Sequence, residues 1–425
     1  MNKGKKNVIV FDIKQAEVKE PDSAKKNIKR FIDLPIFCIA ALVIGFLAGA
    51  VDAVFGRVLL LVSGMREANP IMFIPFLAPA GILIYFIYDR FGKETQSGMK
   101  LLFERAKNNR SEIKLRLIPF VTLSTWLTHL FGGSAGREGV AVQIGGTMGS
   151  FIAQRLKLSN KSAAKILTIT GMAAGFSGLF RTPMAAVFFA SEVLTAGELE
   201  VDALLPSLIA AYTATIVSGS LGLEKFTFDL GITPHYSFEF YAGLCIAGIV
   251  FGILGGLFAF LMPLCKKFVS TVLKNPYVRI GVIGAAVSIC SLLLFGGRYS
   301  GLGTNLINEA LNGGQIFVWD FAAKIVFTII TLSAGYQGGE VTPLFSIGAS
   351  SGVLIASLFG LPSPLFAALG YAAVFGSATN TLIAPILIGT EVFGFQYMPL
   401  FFFVCVLAYI CNGNKSIYTL QTQKK

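Results

Sequence analysis

The chain has 425 residues, of which 54% are hydrophobic and only 14% are charged, and its mean hydropathy is +0.70. A soluble globular protein of this composition would have too few polar residues to cover its surface, so we predict a polytopic membrane protein. The basic residues that give the chain its net charge of +12 are expected to lie in cytoplasmic loops. A nucleic-acid site is not expected, because no basic stretch is interleaved with stacking aromatics in a soluble context.

Behind a basic N-terminal segment, the chain is a series of apolar runs. The first thirty residues carry nine Lys/Arg against four acids and lack the apolar core and cleavage site of a secretory signal, so residues 1–33 are expected to be a cytoplasmic tail. Several of the runs are too long for one membrane crossing and others too short. They therefore predict helices that break or stop inside the membrane, where they pack on protein or line a cavity. The runs lie at about 34–62, 71–88, 117–130, 163–194, 204–221, 241–264, 280–295, 317–334, 344–361 and 366–411.

A glycine-rich stretch at residues 132–146 is the candidate functional centre. Its glycines allow close backbone approach to a ligand, and the apolar run that follows predicts a helix whose first N–H groups have no internal partner. Such a helix start within a membrane favours a small anion, because the free amides and the helix dipole both attract negative charge. Glu138 stands where that anion would sit, and is expected to compete with it or to take up a proton and leave. The alternative is a glutamate that only satisfies its own helix dipole, or a solvated loop.

The two halves of the chain resemble each other. Residues 171–193 and 370–392 align without a gap at an offset of 199 residues, and 8 of their 23 positions are identical. The same offset places residues 134–136 on 333–335. Because one register is shared by separated segments, we predict an internal repeat. The predicted divisions are the tail at 1–33, a first membrane repeat at 34–222, a second at 223–412 and a short C-terminal segment at 413–425.

Loop charges indicate that the two repeats have opposite orientations. Basic residues fill the connections at 90–116 and 155–165, whereas their counterparts about 199 to 205 residues further on are nearly bare. Conversely, the basic residues at 266–279 correspond to a first-half region that holds only Arg66. Since basic loops stay cytoplasmic, equivalent loops of opposite basicity should face opposite sides. We therefore predict an all-α membrane protein with two inverted-topology repeats of tilted and broken helices, and a substrate site near the midplane between them.

Residues 136–146, with G-R-E-G-V followed by V-Q-I-G-G, resemble the G-R-E-G-P and V-Q-I-G-G signature of the CLC family of chloride channels and anion/proton exchangers. Further matches follow in family order at 171–193, at 338–343 and at Tyr418, so the resemblance covers about residues 35 to 420. It implies a CLC-like fold and a homodimer with one anion pathway in each subunit.

Departures from the chloride-transporting pattern point to one branch of that family. Val140 stands where those members have proline, Val341 replaces a phenylalanine, and the G-S-G-I-P anion motif is absent. Val193 occupies the place of the internal proton-transfer glutamate of the chloride exchangers. The set formed by G-R-E-G-V, a methionine near the first motif and Glu-Val-Thr-Pro at 340–343 is similar to the fluoride-exporting branch, the fluoride/proton antiporters.

The resemblance implies that Glu138 is the gate: unprotonated it occupies the anion position, and protonated it swings away. Glu340 is the second candidate for gating and proton transfer, with helix capping as its structural alternative. Thr342 is expected to offer its hydroxyl to an anion, or else to bond its own helix backbone.

Further anion-binding candidates surround these three. Met99 is implied at the central anion site in place of a serine, although Ser97 also fits the spacing. Tyr418 can donate its O–H to a partly dehydrated anion, or can anchor the chain at the membrane interface. The charge of Arg137 is otherwise expected to be solvated or leaflet-facing, and Glu192 and Glu391 are expected to brace helices. The motif positions that complete the anion-binding set are Gly136, Arg137, Gly139, Val140 and Val341.

The expected function is export of fluoride in exchange for protons by a multi-pass protein of the inner (plasma) membrane, with its N-terminus in the cytoplasm. The expected partners are fluoride, protons, the lipid bilayer and a second copy of the chain. No cofactor is expected, and two histidines are too few for a metal cluster. The alternatives are a chloride/proton exchanger or a passive anion channel of the same fold. An intramembrane enzyme is a remote alternative, since the two histidines lie far apart in the sequence and no H-E-x-x-H spacing is present.

Overall fold

The computed structural model describes residues 22–108, 112–156 and 162–423. Residues 1–21 of the predicted tail lie outside this range. The described chain forms seventeen α-helices and two short strands. The helices are α1 Asp22–Ala68, α2 Pro70–Phe73, α3 Leu77–Ile87, α4 Met99–Asn108, α5 Leu117–Leu130, α6 Glu138–Arg155, α7 Ala163–Phe180, α8 Pro183–Glu192, α9 Val201–Ser220, α10 Phe238–Val272, α11 Pro276–Leu293, α12 Thr304–Leu311, α13 Asp320–Ala334, α14 Val341–Phe359, α15 Ser363–Thr379, α16 Ile383–Phe393 and α17 Met398–Cys411. The strands are β1 Thr195–Ala196 and β2 Thr422–Gln423, which pair in parallel.

Helices of full membrane length alternate with shorter ones. Seven helical segments of the described chain are long and apolar enough to cross a bilayer, and four further apolar segments have 10 to 17 residues. The apolar run at 163–194 divides into α7 and α8, and the run at 366–411 divides into α15, α16 and α17. Large apolar side chains such as Leu293 and Phe268 lie exposed on the outer helices, as expected for a surface in contact with lipid. The prediction of broken and stopping helices is confirmed.

The break between α7 and α8 and the break between α15 and α16 occur at equivalent places in the repeat. Arg181 ends α7 and Asn380 ends α15, both in the left-handed backbone conformation with φ of 58° and 55°. Left-handed residues terminate helices because the next N–H turns back toward the last carbonyls. Pro183 then opens α8, where its missing N–H costs no helical hydrogen bond.

Glycines allow very close helix packing at the centre of each repeat. A Cβ on Gly145 of α6 would collide with the backbone carbonyl of Gly171 in α7, and a Cβ on Gly348 of α14 would collide with that of Gly370 in α15. The two helix pairs are equivalent in the repeat: α7 and α15 correspond at the offset of 199 residues found in the sequence, whereas α6 and α14 begin 203 residues apart. Small residues let backbones approach within a membrane, where lipid provides no hydrophobic drive for association.

Two glutamates brace the repeats, because each accepts hydrogen bonds from the start of a helix in the other repeat. Glu192, at the end of α8, accepts hydrogen bonds from the N–H groups of residues 382, 383 and 384 at the start of α16, at 2.8 to 3.2 Å. Glu391 of α16 in turn accepts from the N–H groups of Met184 and Ala185 at the start of α8. The structural role expected for this pair is confirmed, because each glutamate satisfies free N–H groups of the other repeat's helix.

Candidate functional site

Two helix starts meet head to head in the middle of the molecule. Gly136 and Gly339 form an antiparallel backbone bridge, with Gly136 N–H donating to Gly339 O at 2.5 Å and Gly339 N–H donating to Gly136 O at 2.7 Å. Gly136 lies just before α6 and Gly339 just before α14, so the two helices diverge from this bridge. A Cβ on Gly136 would lie 2.7 Å from Glu138 Oε2 and 3.0 Å from Gly339 O. Glycine is therefore required here for backbone to approach backbone.

The Glu138 carboxylate occupies the start of α14. The side chain is fully buried, and its Oε2 accepts from Thr342 N–H at 3.0 Å and from Arg137 N–H at 3.0 Å. The Thr342 hydroxyl donates to Glu138 Oε1. Free amides at a helix start form an anion-binding position, and here a carboxylate takes it. The residue is neither in a solvated loop nor confined to its own helix, and the Thr342 hydroxyl does not bond its own helix backbone.

Arg137 is largely enclosed by protein, so the expectation that its charge is solvated or leaflet-facing is wrong. Its side chain is 12% exposed, and its Nε lies 3.9 Å from Glu138 Oε1. The guanidinium lies over the ring of Phe180, 6.0 Å from the ring centre. Within the described part of the chain, its Nε and Nη1 have no hydrogen-bond partner. The physical reason is that α7 covers this position, so the guanidinium packs between an aromatic face and the carboxylate.

A cavity of about 90 Å³, the Tyr418 cavity, lies beside the start of α14. Met99, Glu340 and Tyr418 all line it, whereas Ser97 is exposed and does not. Glu340 makes no capping hydrogen bond to α14, so its helix-capping alternative is not what the structure shows. The other lining residues are Lys100, Phe103, Ile417, Thr419 and Leu420.

Glu340 also lies near the first helix start. A Cβ on Gly139 would stand 3.8 Å from Glu340 Oε2 and 3.4 Å from the Cα of Gly339. Glu138 and Glu340 are close enough to interact electrostatically, and Tyr418 interacts with both. Val140 and Val341 are buried in the first turns of α6 and α14. The structure thus brings Glu138, Glu340, Thr342, Met99 and Tyr418 together from four separate stretches of sequence.

The C-terminal segment that carries Tyr418 is held from several sides. Its ring stacks on Phe103 with centroids 5.4 Å apart. Three residues further on, Gln421 Nε2 donates to Val193 O at 3.1 Å and to Thr379 O at 3.0 Å. The pairing of β2 with β1 follows immediately. Tyr418 is therefore positioned by both repeats rather than lying free as an interfacial anchor.

Sequence reasoning missed a buried cation behind the glycine-rich loop. Lys324 of α13 is fully buried and donates to Ser134 Oγ at 3.0 Å and to the carbonyls of Tyr299 and Gly301 at 3.1 and 2.7 Å. The sequence did contain a signal for this residue, because a lysine within an apolar run marks a functional position by default. The lysine ties the loop before Glu138 to the loop before α12.

The model of the family described as voltage gated chloride channel matches residues 80–413. The chain belongs to the CLC family. This membership confirms the resemblance found in the sequence, the inverted-repeat fold, and the prediction of a membrane transport protein rather than an enzyme.

Several CLC relatives cover most of the chain. A "Chloride/fluoride channel protein" of Pseudomonas syringae pv. tomato is 33% identical over 385 residues, covering 89% of this chain and 84% of the relative. An H⁺/Cl⁻ exchange transporter of Vibrio cholerae is 26% identical over 380 residues, covering 83% and 80%. Among solved structures, a CLC-type fluoride/proton antiporter superposes with a TM-score of 0.88 and 48% identity, covering 93% of this chain and 99% of that one. A slow cyanobacterial Cl⁻/H⁺ antiporter, with a TM-score of 0.77 and 20% identity over 90% and 96% of the chains, shares the CLC fold.

Proposed function

We propose that this CLC protein exports fluoride in exchange for protons. The observation that carries the proposal is the Glu138 carboxylate, which occupies the anion position at the start of α14 with hydrogen bonds from Thr342 and from Arg137 N–H. A titratable group that competes with the transported anion for the same donors couples the two ions. The similarity to a solved fluoride/proton antiporter at 48% identity supports fluoride as the anion.

The exchange runs through the protonation state of Glu138. As a carboxylate it fills the position and blocks the anion. When it takes up a proton it loses most of its attraction to the helix start, leaves, and fluoride enters in its place. Release of the proton to the opposite side returns the carboxylate and expels the anion. Fluoride and the proton therefore move in opposite directions.

Glu340, Tyr418 and Met99 form the proposed route between Glu138 and one face of the membrane. All three line the Tyr418 cavity, where Glu340 relays protons and the Tyr418 hydroxyl donates to the anion. Met99 lines the route in preference to Ser97, which is exposed outside the cavity. Arg137 and the backbone at Gly136, Gly139, Val140 and Val341 shape the anion position.

The donor set favours a small, strongly hydrated anion. Fluoride enters only if hydrogen-bond donors replace the water that it loses, as with any buried charge. The Thr342 N–H and hydroxyl, the first amides of α14 and the Tyr418 hydroxyl can supply that donation at short range.

Ion flux in liposomes tests the proposal. Purified protein should pass fluoride far faster than chloride, and an imposed proton gradient should drive fluoride uphill. Equal chloride flux would replace the proposal with a chloride/proton exchanger. Because the Pseudomonas syringae relative is described as a channel, a passive fluoride channel is the second candidate. Fluoride flux that ignores the proton gradient would favour it.

Loop charge supports an orientation in the plasma membrane. Lys100 lines the Tyr418 cavity and belongs to the strongly basic connection at 90–116, so we place that cavity on the cytoplasmic side. The N-terminus then also lies in the cytoplasm. We further propose a homodimer with one pathway per subunit. Cross-linking in native membranes and protease access from each side test these assignments.

A further inference from the structure

A second cavity, the Arg298 vestibule, has a volume of about 490 Å³. Arg66 and Arg298 line it together with Glu67, Ser300 and Asn305. Phe295 and Phe317 form part of its apolar wall. The vestibule shares no lining residue with the Tyr418 cavity, and the exchange described above assigns it no role.

Repeat symmetry relates the two cavities. Ser97-Gly98-Met99 leads into α4 at the Tyr418 cavity, and Ser300-Gly301-Leu302 leads into α12 at the Arg298 vestibule. Gly98 and Gly301 both adopt positive φ, at 48° and 65°. In inverted repeats, equivalent loops face opposite sides of the membrane. By this symmetry, the loop beside the vestibule faces the side of the membrane opposite to the loop beside the Tyr418 cavity.

The vestibule loop is bonded directly to the loop that carries Glu138. Gly301 N–H donates to Gly133 O at 3.1 Å, and Ala135 N–H donates to Gly301 O at 3.3 Å. Lys324 bonds both loops through Gly301 O and Ser134 Oγ. The vestibule loop therefore lies beside the loop that leads into Glu138.

Two arginines and one acid line the vestibule. Arg298 is held by the fully buried Asp320, through Nε at 3.1 Å and Nη2 at 2.7 Å, and its guanidinium lies 5.1 Å from the centre of the Phe317 ring. Arg66 donates to His129 O at 2.8 Å and to Glu67 at 2.6 Å. Bonds to the described residues use three of the five N–H donors of Arg298 and two of those of Arg66. Both guanidiniums thus keep donors for a ligand while their protein bonds hold them in place.

We propose that the Arg298 vestibule is a binding site for a hydrated monovalent inorganic anion, and that fluoride occupies it on leaving the Glu138 position. The volume is many times that of a water molecule, which takes about 30 Å³ in the liquid, so the ion keeps most of its hydration shell. Binding is weak because Glu67 and Asp320 balance the formal charges of Arg66 and Arg298, so the site attracts the anion through its remaining N–H donors, which suits a site that must release its ion. The assignment of fluoride rests on the proposed exchange of fluoride for protons.

Trp319 offers a direct reporter. Its ring stacks on Phe317 at 5.3 Å and on Phe295 at 6.4 Å, both of which line the vestibule. The chain has two tryptophans, so a Trp126→Phe background leaves Trp319 as the only one. Sodium fluoride is titrated into this protein at constant ionic strength, with gluconate as the replaced anion, and the fluorescence is followed.

A saturable change is expected. Arg298→Gln should weaken apparent fluoride binding by about tenfold, the loss of roughly one charge-assisted hydrogen bond. Since that change leaves Asp320 buried without its cationic partner, the double variant Arg298→Gln/Asp320→Asn is tested beside it and should show the same loss. Arg57→Gln is the matched control, because Arg57 is an exposed α1 arginine that bonds Leu221 O and lies outside the vestibule lining.

Liposome exchange by the same preparation separates the two proposals. If fluoride/proton exchange is present but the Trp319 titration is absent, or is unchanged in both Arg298 variants, the vestibule site is overturned and the exchange stands. If exchange is absent while fluoride still titrates Trp319 in an Arg298-dependent manner, the site stands and the proposed function fails.

Discussion

Replacing Glu138 by glutamine is the sharpest test of how the two ions are coupled. The carboxylate accepts three hydrogen bonds, from Thr342 N–H, the Thr342 hydroxyl and Arg137 N–H. A hydrogen bond to a charged group contributes about 1.5–3 kcal/mol, against about 0.5–1.5 kcal/mol for a neutral one. Loss of the charge therefore weakens the hold on the anion position by roughly 3 kcal/mol, or about a hundredfold.

The amide also cannot carry a proton through the cycle. We expect Glu138→Gln to pass fluoride passively, while proton movement driven by a fluoride gradient falls to the background of empty liposomes. The assay records external fluoride with an electrode and internal pH with a trapped dye in the same vesicles. Glu239→Gln is the matched control, since Glu239 is an exposed carboxylate at the start of α10. An unchanged number of protons per fluoride in the Glu138 variant would refute this reasoning.

The remaining predictions concern the neighbours of Glu138 and the braces between the repeats. Tyr418→Phe removes one donor to a partly dehydrated anion, and we expect the ratio of fluoride to chloride flux to fall by up to about tenfold. Glu340→Gln should slow proton-coupled fluoride flux severalfold in the paired electrode and dye assay, because the relay in the Tyr418 cavity loses its titratable group. Glu192→Ala leaves three N–H groups without a partner and should lower the free energy of unfolding by about 3 kcal/mol, against about 2 kcal/mol for Glu391→Ala, at roughly 1 kcal/mol for each N–H.

Each of these has an outcome that would contradict it. Unchanged selectivity in Tyr418→Phe would remove the hydroxyl from the anion route, and wild-type coupled flux in Glu340→Gln would remove that residue from the relay. Thermal unfolding in detergent measures the stability of Glu192→Ala and Glu391→Ala. If both variants are as stable as the wild type, the two carboxylates do not hold the repeats together. Glu239→Gln serves again as the control for flux.

The sequence alone predicted the architecture, and it predicted the centre of the candidate site. An offset of 199 residues and the opposite charge of equivalent loops predicted inverted repeats, because membrane insertion reads loop charge directly. The glycine-rich stretch predicted a helix start at Glu138, and α6 begins there. These features are local or periodic, so they leave a pattern along the chain. The domain boundaries drawn from the same pattern stay a prediction.

Only the tertiary structure decided which side chains meet and which are buried. Ser97 and Met99 are two residues apart, and the first turn of α4 points only the second into the Tyr418 cavity. Arg137 is largely enclosed because Phe180 of α7 covers it, and Lys324 reaches across to Ser134. Burial of a charge depends on partners that are distant in the chain, and no local pattern records the donors and aromatic faces that compensate its desolvation.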